Sequence, residues 1–213
     1  MPTLGALFAF LSAFVIATEW SAQSSADSTV AHIASASARL AWASTAPGAN
    51  TIEIQKAITE DLTFTASIGW TELQNGNEIA LVETESYRTL QRTVRDSAYS
   101  PSVATPASNE LLAAVDDLGS TRRDLANAAG RTLPTLLLLV LALSGIILTI
   151  NSVILVVESP GRSSFVVLSV VVLVAFDLAL LLVLAAPFRG TLQASPTPLE
   201  SVVREIDSGF FTR

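Results

Sequence analysis

The chain has 213 residues, half of them apolar. Its net charge is −7, with arginines and one lysine, Lys56, as its only strong bases. That balance is too greasy for an ordinary soluble domain and excludes a nucleic-acid partner, which needs a concentrated basic face. The absence of cysteine excludes disulfides and thiolate metal sites, and the single histidine, His32, excludes a conventional zinc hydrolase. No cofactor is expected.

The first apolar block, residues 1–20, is uncharged from Leu4 to Thr18 and ends at Glu19-Trp20, where a tryptophan suits a membrane interface. A signal peptide cleaved near Ser24-Ser25-Ala26 is one reading, but no basic residue precedes the apolar run. The preferred reading is a retained membrane helix, because Gly5, Ala9, Ala13 and Ala17 recur every four residues, with Ser21, Ser25 and Thr29 extending the series. On a helix these make a ridge of small side chains that another backbone can approach closely.

Residues 21–131 are predominantly acidic and are broken at Pro47-Gly48, Asn75-Gly76-Asn77 and Ser100–Pro106. Ser21–Ala46 is predicted to continue the first helix, with Val30, Ile33, Ser37 and Leu40 as its seam. Asn50 followed by Glu53 suits the start of a second helix striped by Ile54, Ile58 and Leu62. The threonine- and aromatic-rich run Thr63–Trp70 could be extended instead.

A third helix is expected over Ile79–Ala98, with Tyr87, Leu90, Val94 and Ala98 on one face. A fourth carries Leu111, Val115, Leu118, Arg122, Leu125 and Ala129 at 4-3-4-3-4 spacing. Together these predict an extramembrane antiparallel helical bundle. Tyr87, Trp42, Trp70 and Phe64 are expected to be packing groups, and Arg88, Arg92 and Arg95 a solvated basic stripe.

The strongest hydrophobic signal is a hairpin. Residues 132–157 and 163–188 are two apolar runs, long enough as helices rising ~1.5 Å per residue to cross a hydrocarbon core of ~30 Å. Residues 158–162 form the turn between them. With the first block they make three transmembrane helices and a multi-pass protein of the cell membrane, whose first partner is the lipid bilayer.

Asp177 sits near the middle of the last run. Facing lipid it would cost on the order of 2.5–3.5 kcal/mol, so it should face protein or water, or be protonated. Symmetry about the turn puts it opposite Ser144-Gly145, and Ser144, Thr149, Asn151 or a second subunit are its candidate partners. Hydrogen-bonded glue between helices and a pathway residue are both compatible with that placement. Asp177 and Ser144 are the candidate intramembrane site; Gly5, Ala9, Ala13 and Ala17 are the candidate helix-packing ridge.

After the hairpin, Pro187 should stop the membrane helix, Ser201–Ile206 could form a short helix with Val202, Val203 and Ile206 inward, and Asp207–Arg213 should be frayed.

Several of these residues carry a resemblance. Pro187-Phe188-Arg189-Gly190 and Ser195-Pro196-Thr197-Pro198 match, in order and spacing, the Asp-Arg-Pro-Phe-x-Gly and Ser-Pro-x-Pro segments of a bestrophin-like family of bacterial membrane proteins, defined by a domain of unknown function. Phe8–Leu40 with Trp20 is similar to that family's second membrane helix and its alanine-rich continuation. Trp70 with Leu73 and Gly76 resembles its Glu-Trp-Pro-x-Leu segment, and Leu133-Pro134 its entrance to the third span. The chain departs from the pattern at Ala185-Ala186 and Gly69, and the family's first membrane helix and basic loop are not seen, as in a shortened member or a chain with a late start. The resemblance implies an oligomeric, anion-channel-like architecture.

Arg122, Arg123, Arg131 and Arg189 against Arg162 would place the bundle in the cytoplasm; a basic loop on the other side would reverse that count, so the orientation stays open. An oligomeric channel or transport-related protein is the first expectation, and a non-conducting scaffold or sensor whose bundle binds a partner is the alternative. Asp27 and His32 lie near Ser24, Ser25 and Ser28, but serines beside a lone histidine make no catalytic constellation, and no phosphate-cradling glycine loop is present. No enzyme activity is expected.

Overall fold

In the computed structural model, residues 2–77, 79–82, 84–130, 135–158, 163–184, 188 and 194–212 are described. Every regular element among them is helical. Two compact units emerge: Met1–Gln23 with Arg131–Gln193, and Ser24–Gly130 with Ala194–Arg213.

The first unit contains the start of α1 (Pro2–Ala43), α7 (Thr135–Glu158) and α8 (Ser163–Leu184). Its core is thin: Phe8, Val15, Leu141, Val174 and Leu181 are buried together, with Leu11, Ile16, Leu148, Val170 and Leu178 packed against them. Large apolar side chains point outward from all three helices, among them Phe10, Phe14, Leu143, Ile146, Ile150, Phe165, Leu168 and Phe176. A helix apolar on every side suits a membrane or the core of a large protein, not a water-exposed surface.

By length and composition, α1 is the one helix among the described residues that could cross a membrane. The apolar stretches Leu139–Ile154 and Val167–Leu181 are shorter. The expected turn lies largely outside the described residues, as do Leu133-Pro134, Ala185–Pro187 and Arg189-Gly190. Of the Pro-Phe-Arg-Gly segment, Phe188 is described, and it is buried.

The second unit is a water-type bundle. It holds the rest of α1, α2 (Thr51–Phe64), a π-helical stretch at Thr65–Gly69, α3 (Trp70–Asn75), α4 (Ile79–Val82), α5 (Glu85–Ala98), α6 (Thr105–Ala129) and α9 (Thr197–Asp207). Helix α2 packs on α5 and α9, and α6 on α4 and α5. The expected seams are inside: Val30, Ile33, Ser37 and Leu40; Ile54, Ile58 and Leu62; Tyr87, Leu90, Val94 and Ala98; Leu111, Val115, Leu118, Arg122 and Leu125.

Five expectations are corrected. Thr63–Trp70 is helical, with the wider π turn keeping Thr65, Gly69, Trp70 and Leu73 on the buried side. Ile79–Ala98 is two helices, because Thr84 leaves the helical conformation and its hydroxyl accepts from Tyr87 N at 3.1 Å, starting α5 afresh. Trp42 is 67% exposed and not a core group. The last residues are not frayed as far as Thr212: Gly209 takes φ 76°, and Phe211 is buried. Asn50 heads α2 without capping it by its side chain; its own N–H donates to Ser97 Oγ at 3.0 Å.

The α1–α2 turn needs glycine at 48. Its φ is 86°, and a β-carbon there would collide with the Ser102 carbonyl. Ser102 Oγ donates to Gly48 O at 3.0 Å, tying this turn to the one that precedes α6.

Candidate functional site

Two polar constellations stand out, one in each unit. In the second unit a charged residue lies on each of two apolar stripes. Asp61 is one turn beyond Ile58 on α2, and Arg122 lies between Leu118 and Leu125 on α6. They are 61 residues apart in sequence and meet in the core, with Arg122 2% exposed and Asp61 fully buried. Arg122 Nη1 donates to Asp61 Oδ2 at 2.6 Å and to Thr65 Oγ1 at 3.1 Å. Nη2 donates to Leu81 O at 2.8 Å and Thr84 Oγ1 at 3.3 Å.

Ser86 Oγ donates to the second carboxylate oxygen, Asp61 Oδ1, at 3.0 Å. The guanidinium carbon lies 4.7 Å from the centre of the Tyr87 ring, a cation–π contact. One guanidinium then joins α2, the π turn, α4, the cap of α5 and Tyr87 to α6.

The electrostatics follow from the burial. Desolvation pushes the Asp61 carboxyl up, against the pull of the Arg122 charge and the Ser86 hydrogen bond. Burial likewise pushes the Tyr87 phenol up, so it remains a donor at neutral pH and gives its proton to Val115 O at 3.3 Å. The pair's geometry suits a lock and not a reaction. The guanidinium does not deprotonate, and both carboxylate oxygens already accept bonds. Arg122 Nε and Ser37 Oγ are buried with no hydrogen-bond partner among the described residues.

The basic stripe is solvated as expected, with Arg88, Arg92 and Arg95 exposed and Arg88 3.8 Å from Glu85. Arg122, counted among the charges flanking the membrane, is instead consumed inside the bundle. Arg39 Nε donates to Glu110 Oε1 at 2.8 Å on the surface.

In the first unit, Asp177 is half-buried on α8, on the stripe that also carries buried Val174 and Leu181. Ser144 is half-buried on α7, but its hydroxyl donates to Leu141 O of its own helix at 2.8 Å. Thr149 donates to Gly145 O at 2.9 Å and Asn151 to Ile147 O at 3.0 Å, again within α7. None of the three neutral partners expected for Asp177 is bonded to it.

The small-residue ridge is not the packing face within the chain. Gly5 is half-buried near Leu148, while Ala9, Ala13 and Ala17 are exposed. The inward face of α1 is Phe8, Ser12 and Val15. The close approach of helices occurs at Gly145, where a β-carbon would lie 2.9 Å from Val174 Cγ1 and 3.3 Å from Phe8 Cε2.

The sequence marks Arg122 as a seam residue and as a charge flanking the membrane, and gives no sign of Asp61 or Ser12. A cation on an apolar stripe was the available signal, since such a residue needs a buried counter-charge. Its partner could not be chosen without the fold. Among the described residues no group of acidic and histidine side chains is arranged to hold a metal ion.

Residues 1–199 match the bestrophin-like domain, and the chain therefore belongs to the bestrophin-like family. No curated protein and no solved structure matches it.

Proposed function

We propose that this bestrophin-like chain is a multi-pass protein of the cell membrane, with α1, α7 and α8 crossing the bilayer, and that it acts as an oligomeric, channel-like or transport-related protein. The observation that carries this reading is the first unit itself. Its three helices share a narrow seam and present phenylalanine, leucine, isoleucine and valine outward, which water would penalise at about 25 cal/mol per Å² of apolar surface and lipid would not. Family membership supports the channel-related part.

The exposed Ala9, Ala13 and Ala17 supply a surface on which an identical chain could pack closely, supporting a homo-oligomer. Asp177 bears on selectivity: a ring of ionised carboxylates attracts cations and repels anions, so the reading favours a cation or proton path over a simple anion pore. We assign no catalytic role.

The test is ion flux through liposomes holding the purified full chain, beside Asp177→Asn. Flux whose selectivity changes in the variant supports a conducting role for Asp177, and identical flux removes that residue from the mechanism. Absence of flux, with crosslinking to one stoichiometric partner, would favour a non-conducting scaffold or sensor instead.

A further inference from the structure

We propose that the cleft where α1 ends beside the start of α6 is a binding site for a small organic ammonium, an apolar body carrying one positively charged nitrogen.

The cleft exists because chain segments of the second unit end and turn at one place. Helix α1 stops at Ala43, and the backbone turns through Thr45 and Ala46, whose N–H groups donate to Trp42 O and Ala43 O. Pro47 and Gly48 follow, and the bond from Ser102 to Gly48 O sets this turn against the approach to α6. The tail turns back at Gly209, and Gln55 Nε2 reaches both Ala41 O and Phe211 O, which holds Phe211 beside the end of α1. Between these segments lies a cavity of about 550 Å³, the size of a small-molecule site.

The walls of the cleft are mostly carbon, supplied by Trp42, Ala43, Pro47 and Phe211. Trp42 stands exposed directly after Leu40 and Ala41, which are fully buried. An indole on the wall of an apolar cleft is the side-chain ring over which a cation gains most.

The polar atoms select the charge of the ligand. Among the described residues, Glu110 is the one charged side chain lining the cleft. Arg39, which is not a lining residue, donates to Glu110 Oε1, and that is the one ion pair Glu110 makes among the described residues. The hydroxyl protons of Thr45 and Thr212 are already given to Trp42 O at 2.8 Å and Gly209 O at 2.6 Å. Each hydroxyl therefore has only lone pairs left to offer.

Apart from the Trp42 indole N–H, the lining side chains thus present acceptors and ring faces. An anion would meet a carboxylate. A hard metal cation takes about six oxygen ligands, and the cleft offers one carboxylate and two hydroxyls. An organic ammonium suits both parts of the lining. Its N–H groups bond the carboxylate and the threonine oxygens, its charge lies over the indole, and its apolar body covers the alanine, proline and phenylalanine surface.

The site lies wholly in the second unit, so its occupation does not depend on ion conduction. The full chain in lipid nanodiscs is titrated with phenethylammonium by calorimetry, with empty nanodiscs as reference. Phenethyl alcohol and phenylacetate serve as the neutral and anionic counterparts. We expect saturable one-to-one binding of the ammonium and none of the other two. Trp42→Ala should weaken it about tenfold, and Glu110→Gln about fivefold. Arg39→Met should tighten it, because the carboxylate loses its resident cation. Ala107→Leu, which puts bulk on the wall of the cleft, should abolish binding with the melting temperature unchanged. Equal affinity for the alcohol or for phenylacetate overturns the charge assignment. No saturable binding, or an affinity unchanged in both Trp42→Ala and Ala107→Leu, overturns the site.

Discussion

The phenol of Tyr87 occupies the space that a β-carbon on Gly119 would need, and from there it donates to Val115 O one turn earlier on α6. The ring also lies under the Arg122 guanidinium, so it cannot simply swing away. Glycine inside a helix costs about 1 kcal/mol relative to alanine, and here the close fit requires it.

Gly119→Ala should therefore destabilise the protein despite its better helix propensity, by about 1–3 kcal/mol as an overpacking change. Removing the hydroxyl with Tyr87→Phe in the same background should recover part of the loss. Thermal unfolding followed by circular dichroism measures both. A higher melting temperature for Gly119→Ala would show that the ring has room to move.

Arg122→Met leaves the Asp61 carboxylate buried without its counter-charge, which typically costs about 3–5 kcal/mol. Adding Asp61→Asn should return much of that, because the neutral amide carries no charge to strand. The pH dependence of the single variant has a definite sign. Burial is then left to push Asp61 up without the guanidinium to oppose it. The folded state holds the proton more tightly than the unfolded chain, so this group's stabilising contribution is present at low pH and lost as pH rises through the raised value. Denaturant midpoints across the acidic and neutral range should fall with rising pH in Arg122→Met and stay flatter in the double variant.

On the surface, the hydrogen bond from Arg39 holds the Glu110 carboxyl below the usual carboxylate range. A lowered folded value means that the contribution is present above the ordinary carboxyl range and lost as pH falls through the folded one. Both side chains are about half exposed, so the effect on stability is small and salt-sensitive. A carboxyl-carbon NMR titration should show the Glu110 midpoint rising in Arg39→Met, and rising in high salt in the native chain.

Gly145 is where α7 meets both other helices of its unit, and its β-carbon would press on Val174 Cγ1 at 2.9 Å and Phe8 Cε2 at 3.3 Å. Gly145→Leu should prise these helices apart, seen as faster proteolysis or a lower melting temperature in detergent. Gly145→Ala with Val174→Ala should be tolerated far better than Gly145→Leu, since the second change empties the space the first one fills.

Much of this architecture was legible in the sequence because it is local. Hydrophobic periodicity placed the inward faces of α2, α5, α6 and the part of α1 from Val30 to Leu40, and composition alone separated the greasy helices from the acidic bundle. Where local signals were mixed, the reading failed: threonines and aromatics did not disclose the π turn, and the break at Thr84 came from a cap that only its Tyr87 N–H partner reveals.

The small-residue ridge of α1 shows the same limit, since spacing marks a face without saying what meets it. Asp177 and Arg122 were both visible as charges on apolar stripes. Their partners were not, because pairing depends on which helices are adjacent and in what register. The fold decided that Asp61 answers Arg122, where low dielectric and a shared set of acceptors make the pair a lock.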